Sequence, residues 1–225
     1  NVAANYVVHL PPRVSFEDAA GSFLKGLTTY YLIHDSFAVQ DGHKVLFHAA
    51  AGGVGLIAGQ WLNALGAEVI GTAGSLSKCQ LALDHGYHRM IQYGHQDFVE
   101  EVRKQTAGGG VDVVYDSVSN STFRGSLQCL KMHGTIVSFG QSSGPYLDFK
   151  ISDLAAGSFH LTRPILGHFA SDRAWLERAS SALLAKVATK GVRVSVNQSY
   201  ALADVAQAHN DLSARKTLGS TVLIP

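Results

Sequence analysis

The residues of this chain whose types and spacing could do chemistry are mostly its smallest. Between the apolar run Val45-Leu46-Phe47 and the helical pattern Ile57, Trp61, Leu65 stands Ala49-Ala50-Ala51-Gly52-Gly53-Val54-Gly55. Side chains this small let a backbone approach a phosphate closely. A strand ahead of such a turn and a helix behind it aim the helix's first amides at an anion, which suits the pyrophosphate of a dinucleotide. The string reads A-x-x-G-x-x-G rather than G-x-G-x-x-G, so the flanking strand and helix carry the inference as much as the glycines do.

The next strand bears on which dinucleotide. A site that prefers NADH usually ends this strand in Asp or Glu, which holds the ribose hydroxyls. Here Gly71-Thr72-Ala73-Gly74-Ser75 has no carboxylate, and Lys78 follows one turn into the next segment. A small polar loop with an ammonium attracts a 2′-phosphate that a carboxylate would repel. Lys78 alone reads equally well as a solvated helix lysine. Missing acid and present base together favour NADPH over NADH.

Other groupings are weaker. Gly140-Gln141-Ser142-Ser143-Gly144 satisfies the G-x-S-x-G of a hydrolase, but Pro145-Tyr146-Leu147-Asp148 offers no helix behind the serine. His85 and His88 stand in a turn-like stretch with no carboxylate nearby and read as solvated loop histidines, so no metal site is expected. His48 reads as packed or hydrogen-bonded, Trp61 and Trp175 as core, and at least one of Tyr30 and Tyr31 as core.

These residues need elements to hold them. Asn1 to Arg13 reads as a strand, and Ser15 as the N-cap of a long helix through Phe23, Leu24, Leu27, Tyr31 and Leu32. After the central strand-turn-helix-strand unit, the pattern predicts a helix over 76–84, a strand over 89–92 and a helix over 97–106. A strand over 111–115, a helix over 122–130 and a strand over 135–139 follow, then a short helix over 151–156 and a last strand over 159–162. A long helix over 172–189 completes the series. Such alternation predicts an α/β fold, a doubly wound parallel Rossmann-type sheet with flanking helices. The tail, with strands over 192–200 and 220–224 around a helix over 202–215, is expected to pack with the opening segment outside that sheet.

Composition narrows the function class. Apolar residues make up 46% and charged ones 16%, a globular balance. A net charge of +1 gives no electrostatic case for nucleic acid or a membrane surface. No apolar run has the length of a membrane-spanning helix. Cys79 and Cys129 form no redox or metal motif, which points to a reducing, cytoplasmic setting. The opening at Asn1, without methionine, reads as a piece of something longer.

KGLTTYYLI, FHAAAGGVGLIAGQW, ALGAEVIGTAGS, VVYDSV and VSFGQSSG, in this order, resemble NADPH:quinone oxidoreductases. These form the zinc-independent, zeta-crystallin-like branch of the medium-chain dehydrogenases/reductases. The resemblance spans the chain and implies that the front part of a GroES-like catalytic domain is lacking. Residues 1–26 and 192–225 would be remnants of that domain at the two chain ends, and 27–191 the NADPH-binding domain. It implies Gly52, Gly53, Val54 and Gly55 at the pyrophosphate, and Gly74, Ser75, Lys78 and Tyr93 at the 2′-phosphate. Ser117 would face the adenosine and ribose side, and Phe139, Gly140 and Ser142 the nicotinamide ribose and ring. Gln141 stands where relatives can carry Asn. Thr28 and Thr162 would lie near the nicotinamide, and Arg215 would reach the 2′-phosphate. No catalytic acid or base is implied. The expected activity is hydride transfer from NADPH to a quinone. Alternatives are reduction of an activated C=C bond in an enone, or a non-catalytic nucleotide- or RNA-binding crystallin-like protein. A homodimer is expected through the edge strand at 159–162.

Overall fold

The computed structural model describes residues 2–214 and 216–225. The long apolar and β-branched runs become β1 (Lys44–Phe47), β2 (Glu68–Ala73), β3 (Arg89–Gln92), β4 (Val111–Asp116), β5 (Leu130–Ser138) and β6 (His160–Thr162). They form one six-stranded sheet in the order β3-β2-β1-β4-β5-β6, parallel at every pairing. Every residue of β4 is buried, as a strand covered on both faces requires.

The connecting helices are α1 (Phe16–Tyr30), α2 (Gly53–Ala64), α3 (Leu76–Leu83), α4 (Phe98–Gln105), α5 (Phe123–Cys129), α6 (Leu166–Ala170), α7 (Arg173–Ala188) and α8 (Val205–Ser213). Two cores result, one on each face of the sheet. Leu27, Leu32, Ile57, Trp61, Trp175 and Leu183 bury the face under α1, α2 and α7, and Val102, Phe123 and Leu127 bury the other under α4 and α5. This is the expected doubly wound α/β architecture. The chain reverses direction across the sheet between β1 and β4, which opens a crevice at the strands' C-terminal ends.

Within α1, Gly26 has a packing role. A Cβ there would meet the Leu183 side chain, so the glycine lets α1 and α7 close on each other. Past Tyr30 the helix widens into a π-helical turn, Tyr31–Ser36, that buries Tyr31, Leu32 and Ile33. Leu24, expected on the apolar face, is 67% exposed instead.

The chain ends depart from expectation. The opening segment is not a strand: it holds one 3-10 turn, Ala4–Tyr6, then runs extended. Arg173 on α7 donates to the carbonyls of Asn5 and Val7, and Tyr6, Val8 and Leu10 line a small cleft with Ala19, Phe23 and Leu184. The tail strands β7 (Val196–Ala201) and β8 (Ser220–Ile224) pair with each other in parallel and lean on α1, where Ser220 Oγ donates to the Gly21 carbonyl at 2.6 Å. Among the described residues, the opening therefore rests on α1 and α7, while the tail finds its partner in itself. Among these residues no helix is long and apolar enough to cross a membrane.

Candidate functional site

Most of the expected site residues come together at one end of the sheet. Gly52 to Gly55 follow β1, Gly74 and Ser75 follow β2, and Tyr93 follows β3. Ser117 follows β4, Phe139 to Ser142 follow β5, and Thr162 closes β6 opposite Val137. Parallel strands point all their C-terminal ends the same way, so six separate loops share one rim.

At the centre of that rim is the mouth of α2. Gly52 is its N-cap and offers no side chain to the first turn, whereas Ser15, Ser75, Asp97 and Asp172 cap α1, α3, α4 and α7 with their own oxygens. The Gly52 amide bonds the Ala49 carbonyl at 2.9 Å. The Gly53, Val54 and Gly55 amides belong to the first turn of the helix, whose donors have no intrahelical partner. Ala49 itself sits at φ +55, a conformation uncommon for a residue with a Cβ, and so folds the chain tightly back. A Cβ on Gly55 would overlap the Ala50 carbonyl, so the turn closes only around glycine. Gly52 is exposed and a Cβ there would meet only the Ala49 oxygen, at 3.2 Å. The donor-rich, uncovered recess fits a diphosphate.

On one side, Gly74 approaches Tyr93: a Cβ on the glycine would stand 2.8 Å from the phenol oxygen. Ser75 Oγ accepts from the Lys78 amide at 3.3 Å and lies 3.1 Å from Ser77 Oγ, so it is already engaged as a cap. The Lys78 side chain is half-buried and makes no ion pair with a described carboxylate. On the other side, the loops after β4 and β5 touch. Ser142 N donates to the Ser117 carbonyl at 3.1 Å, and Phe139 N to the Asp116 carbonyl at 2.9 Å. Gln141 and Ser142 are exposed. No helix follows Ser142, so the G-x-S-x-G string forms no nucleophile elbow. Thr28 lies on α1, its hydroxyl donating to the Leu24 carbonyl at 2.8 Å. Arg215 lies outside the described residues.

Beneath the rim runs a polar relay that the sequence reading missed. His48, 1% exposed, has Nδ1 3.0 Å from Thr72 Oγ1 and Nε2 3.0 Å from Ser126 Oγ. Ser126 Oγ donates to Asp116 Oδ2 at 3.0 Å, and Thr122 Oγ1 to both carboxylate oxygens. Asp116 Oδ1 also accepts the Val118 and Ser119 amides. A hydroxyl has one proton, so Ser126 bonding to Asp116 leaves its lone pair for a His48 Nε2–H, and Nδ1 then accepts from Thr72. Burial holds His48 below its ordinary pKa of 6.5, with the Asp116 charge opposing the shift. The relay ties the ends of β1, β2 and β4 together. The hydrogen-bonded reading of His48 stands, and its partners are now named.

The His85 expectation is overturned. His85 is buried, bridging the Leu81 carbonyl and Ser195 Oγ, both at 2.7 Å, because the turn it occupies is covered by the tail. His88 is exposed yet accepts the Val69 amide through Nδ1 at 3.1 Å. Tyr31 stacks on Phe169 and Tyr30 edges against Trp61 and Trp175, so both tyrosines pack in the core. A cavity of about 720 Å3 between α4, α5 and the 146–159 segment reaches Leu130, at the opposite end of β5, and is separate from this site.

A family model described as zinc-binding dehydrogenase matches residues 53–186. The chain is 47% identical to a quinone oxidoreductase of Salmonella typhimurium, over all of this chain and 70% of that protein. It is 40% identical to a 2-haloacrylate reductase of a Burkholderia species, over 99% of this chain and 68% of that protein. Among solved structures it is similar to Escherichia coli quinone oxidoreductase complexed with NADPH, with a TM-score of 0.96 and 45% identity, covering 99% of this chain and 69% of the other. As to zinc, no three His, Cys, Asp or Glu side chains gather at a metal-sized position among the described residues, so these residues do not fit a zinc ion.

Proposed function

Because this chain belongs to the quinone oxidoreductase family of medium-chain dehydrogenases/reductases, we propose that it is the NADPH-binding portion of a reductase that passes hydride from NADPH to a quinone. The single observation that carries the reading is the uncapped, glycine-lined mouth of α2 at the switch point of the sheet. Bound there, NADPH supplies the hydride; the chain's own residues bind and orient.

In this reading the first-turn amides of Gly53, Val54 and Gly55, with Gly52 clearing the approach, hold the diphosphate. Gly74, Ser75, Lys78 and Tyr93 surround the 2′-phosphate. Ser117 bounds the adenosine ribose, and Phe139, Gly140, Gln141 and Ser142 bound the nicotinamide end with Thr28 and Thr162. Arg215 is assigned to the 2′-phosphate from the family resemblance alone. No acid or base of this chain is assigned to the acceptor. The division into 1–26, 27–191 and 192–225, with the ends belonging to a GroES-like catalytic domain, is part of the proposal, although the first boundary runs through the continuous helix α1. So are zinc independence and a cytoplasmic location.

The test is NADPH oxidation by the full-length protein with a benzoquinone, compared with a 2-haloacrylate. Faster turnover of the quinone is expected. Turnover of the haloacrylate alone would transfer the reading to reduction of an activated C=C bond, the alternative that the Burkholderia relative favours. For the cofactor, Lys78→Ala is expected to weaken NADPH about tenfold and leave NADH unchanged, since a charge-assisted bond to phosphate is lost. Equal affinities of the wild type for both nucleotides, unmoved by the substitution, would remove the 2′-phosphate assignment. We also propose a homodimer through β6, which among the described residues pairs only with β5 and leaves its other edge open. Light scattering at micromolar concentration is expected to give twice the monomer mass; a monomer would end that proposal.

A further inference from the structure

We propose that Lys25 is a further cofactor-binding residue, its ammonium meeting the diphosphate at the mouth of α2; this rests on the NADPH reading above. The first ground is contact. The Lys25 Cδ and Cε lie 2.5 Å from where a Cβ on Gly53 would stand, so the lysine stem lies across the first helical residue of α2. Gly53 is therefore small for two reasons, the ligand in front and the lysine at its flank.

Direction is the second ground. α1 and α2 run side by side in the same sense, since Lys25 meets Gly53 near one end and Tyr30 meets Trp61 further along both helices, at a ring separation of 6.0 Å. Helix side chains lean toward their own N-terminus. Lys25 does so, and its Nζ reaches back one turn to the Gly21 carbonyl at 3.3 Å. That lean carries the ammonium past Gly53 toward the open end of α2, where the Gly53, Val54 and Gly55 amides are uncapped.

The third ground is unmet charge. Lys25 is half-buried, and no described carboxylate pairs with it. Burial draws its pKa below the ordinary 10.5. Its one hydrogen bond among the described residues is long, and goes to a carbonyl that already accepts Ser220 Oγ at 2.6 Å. An ammonium has three donors, so two are left to be met. An arriving diphosphate offers acceptors and negative charge together, in a spot already part-withdrawn from water, where such bonds are strongest. Gly219 closes the far side, bridging to Gly52 and bringing its carbonyl within 2.9 Å of a Cβ on Gly53.

The experiment is calorimetric titration of the full chain with NADPH, with ADP-ribose, which has the diphosphate but no 2′-phosphate, and with 2′-AMP, which has the reverse. Wild type is compared with Lys25→Met, which keeps a stem over Gly53, and with Lys25→Arg. In Lys25→Met, NADPH and ADP-ribose are expected to weaken about tenfold or more, with 2′-AMP changing less than about twofold. ADP-ribose binding should also lose part of its salt dependence, and Lys25→Arg should recover much of the affinity. If Lys25→Met melts below the wild type, Lys25→Gln is titrated in the same way. Unchanged ADP-ribose affinity and salt dependence in a folded variant would overturn the proposal and leave the NADPH reading standing. Equal weakening of ADP-ribose and 2′-AMP would also overturn it, as general damage to the site. A wild type that binds neither NADPH nor ADP-ribose would overturn the reading beneath, and this proposal with it.

Discussion

Gly55→Ala is expected to melt roughly 6–12 °C below the wild type, while Gly52→Ala melts close to it. A Cβ on Gly55 would overlap the Ala50 carbonyl and stand 2.7 Å from that of Ala49. Both obstacles are backbone atoms of the turn, so no side chain can swing aside. Overpacking of this kind costs about 3 kcal/mol, a large part of a total stability of roughly 5–15 kcal/mol. The same glycine's carbonyl accepts the buried Tyr87 hydroxyl at 2.9 Å, so a displaced turn would disturb the core as well. At Gly52 the added methyl meets only one oxygen, at 3.2 Å. It would protrude into the diphosphate recess, and NADPH binding is expected to weaken about tenfold or more. Thermal melts with NADPH titrations of the two variants check the division of labour. If both variants melted alike, or Gly52→Ala bound NADPH at wild-type strength, the two glycines would not have these separate roles.

The second large effect is at Asp116, which is wholly buried. Asp116→Ala strands two backbone amides, leaves the hydroxyls of Thr122 and Ser126 only the Ser119 and Thr122 carbonyls as acceptors, and breaks the chain of bonds from Asp116 to His48. Unsatisfied buried groups of this kind cost about 1–3 kcal/mol each, and partial rearrangement brings the expected loss to about 4 kcal/mol. Asp116→Asn keeps an acceptor for the two amides and should lose about 1–2 kcal/mol. Denaturant melts of the pair are the check; equal losses would mean that the acceptor for the two amides contributes nothing.

The same relay predicts a pH dependence. Burial lowers the pKa of His48 in the folded state, so between the folded value and 6.5 the unfolded chain binds the extra proton. The stability contribution is whole above pH 6.5 and is lost as pH falls from there toward the folded value. His34, also lowered by burial, acts in the same direction. The fall in melting temperature between pH 7 and pH 5 should therefore shrink, without vanishing, in His48→Gln. An unaltered fall would show that His48 is not the group responsible.

Much of this was legible from local pattern. Val111 to Tyr115 reads as a strand, Ser15 marks a helix start with a short polar side chain, and the alternation of strand and helix periods admits few arrangements other than a parallel sheet. Those signals act over a few residues, and the sequence by itself determined the elements, the glycine turn and the missing carboxylate after β2. Tertiary structure alone decided which distant side chains meet. The order β3-β2-β1-β4-β5-β6 sets β1 beside β4, and so brings His48, Thr72, Asp116 and Ser126 into one relay that no spacing announces. His85 looked solvated because its cover, Ser195, arrives from the far tail. Lys25 meets Gly53 only because α1 is laid along α2: a side chain's partners depend on how whole elements pack, and packing is settled by the sum of many contacts rather than by any neighbour in the chain.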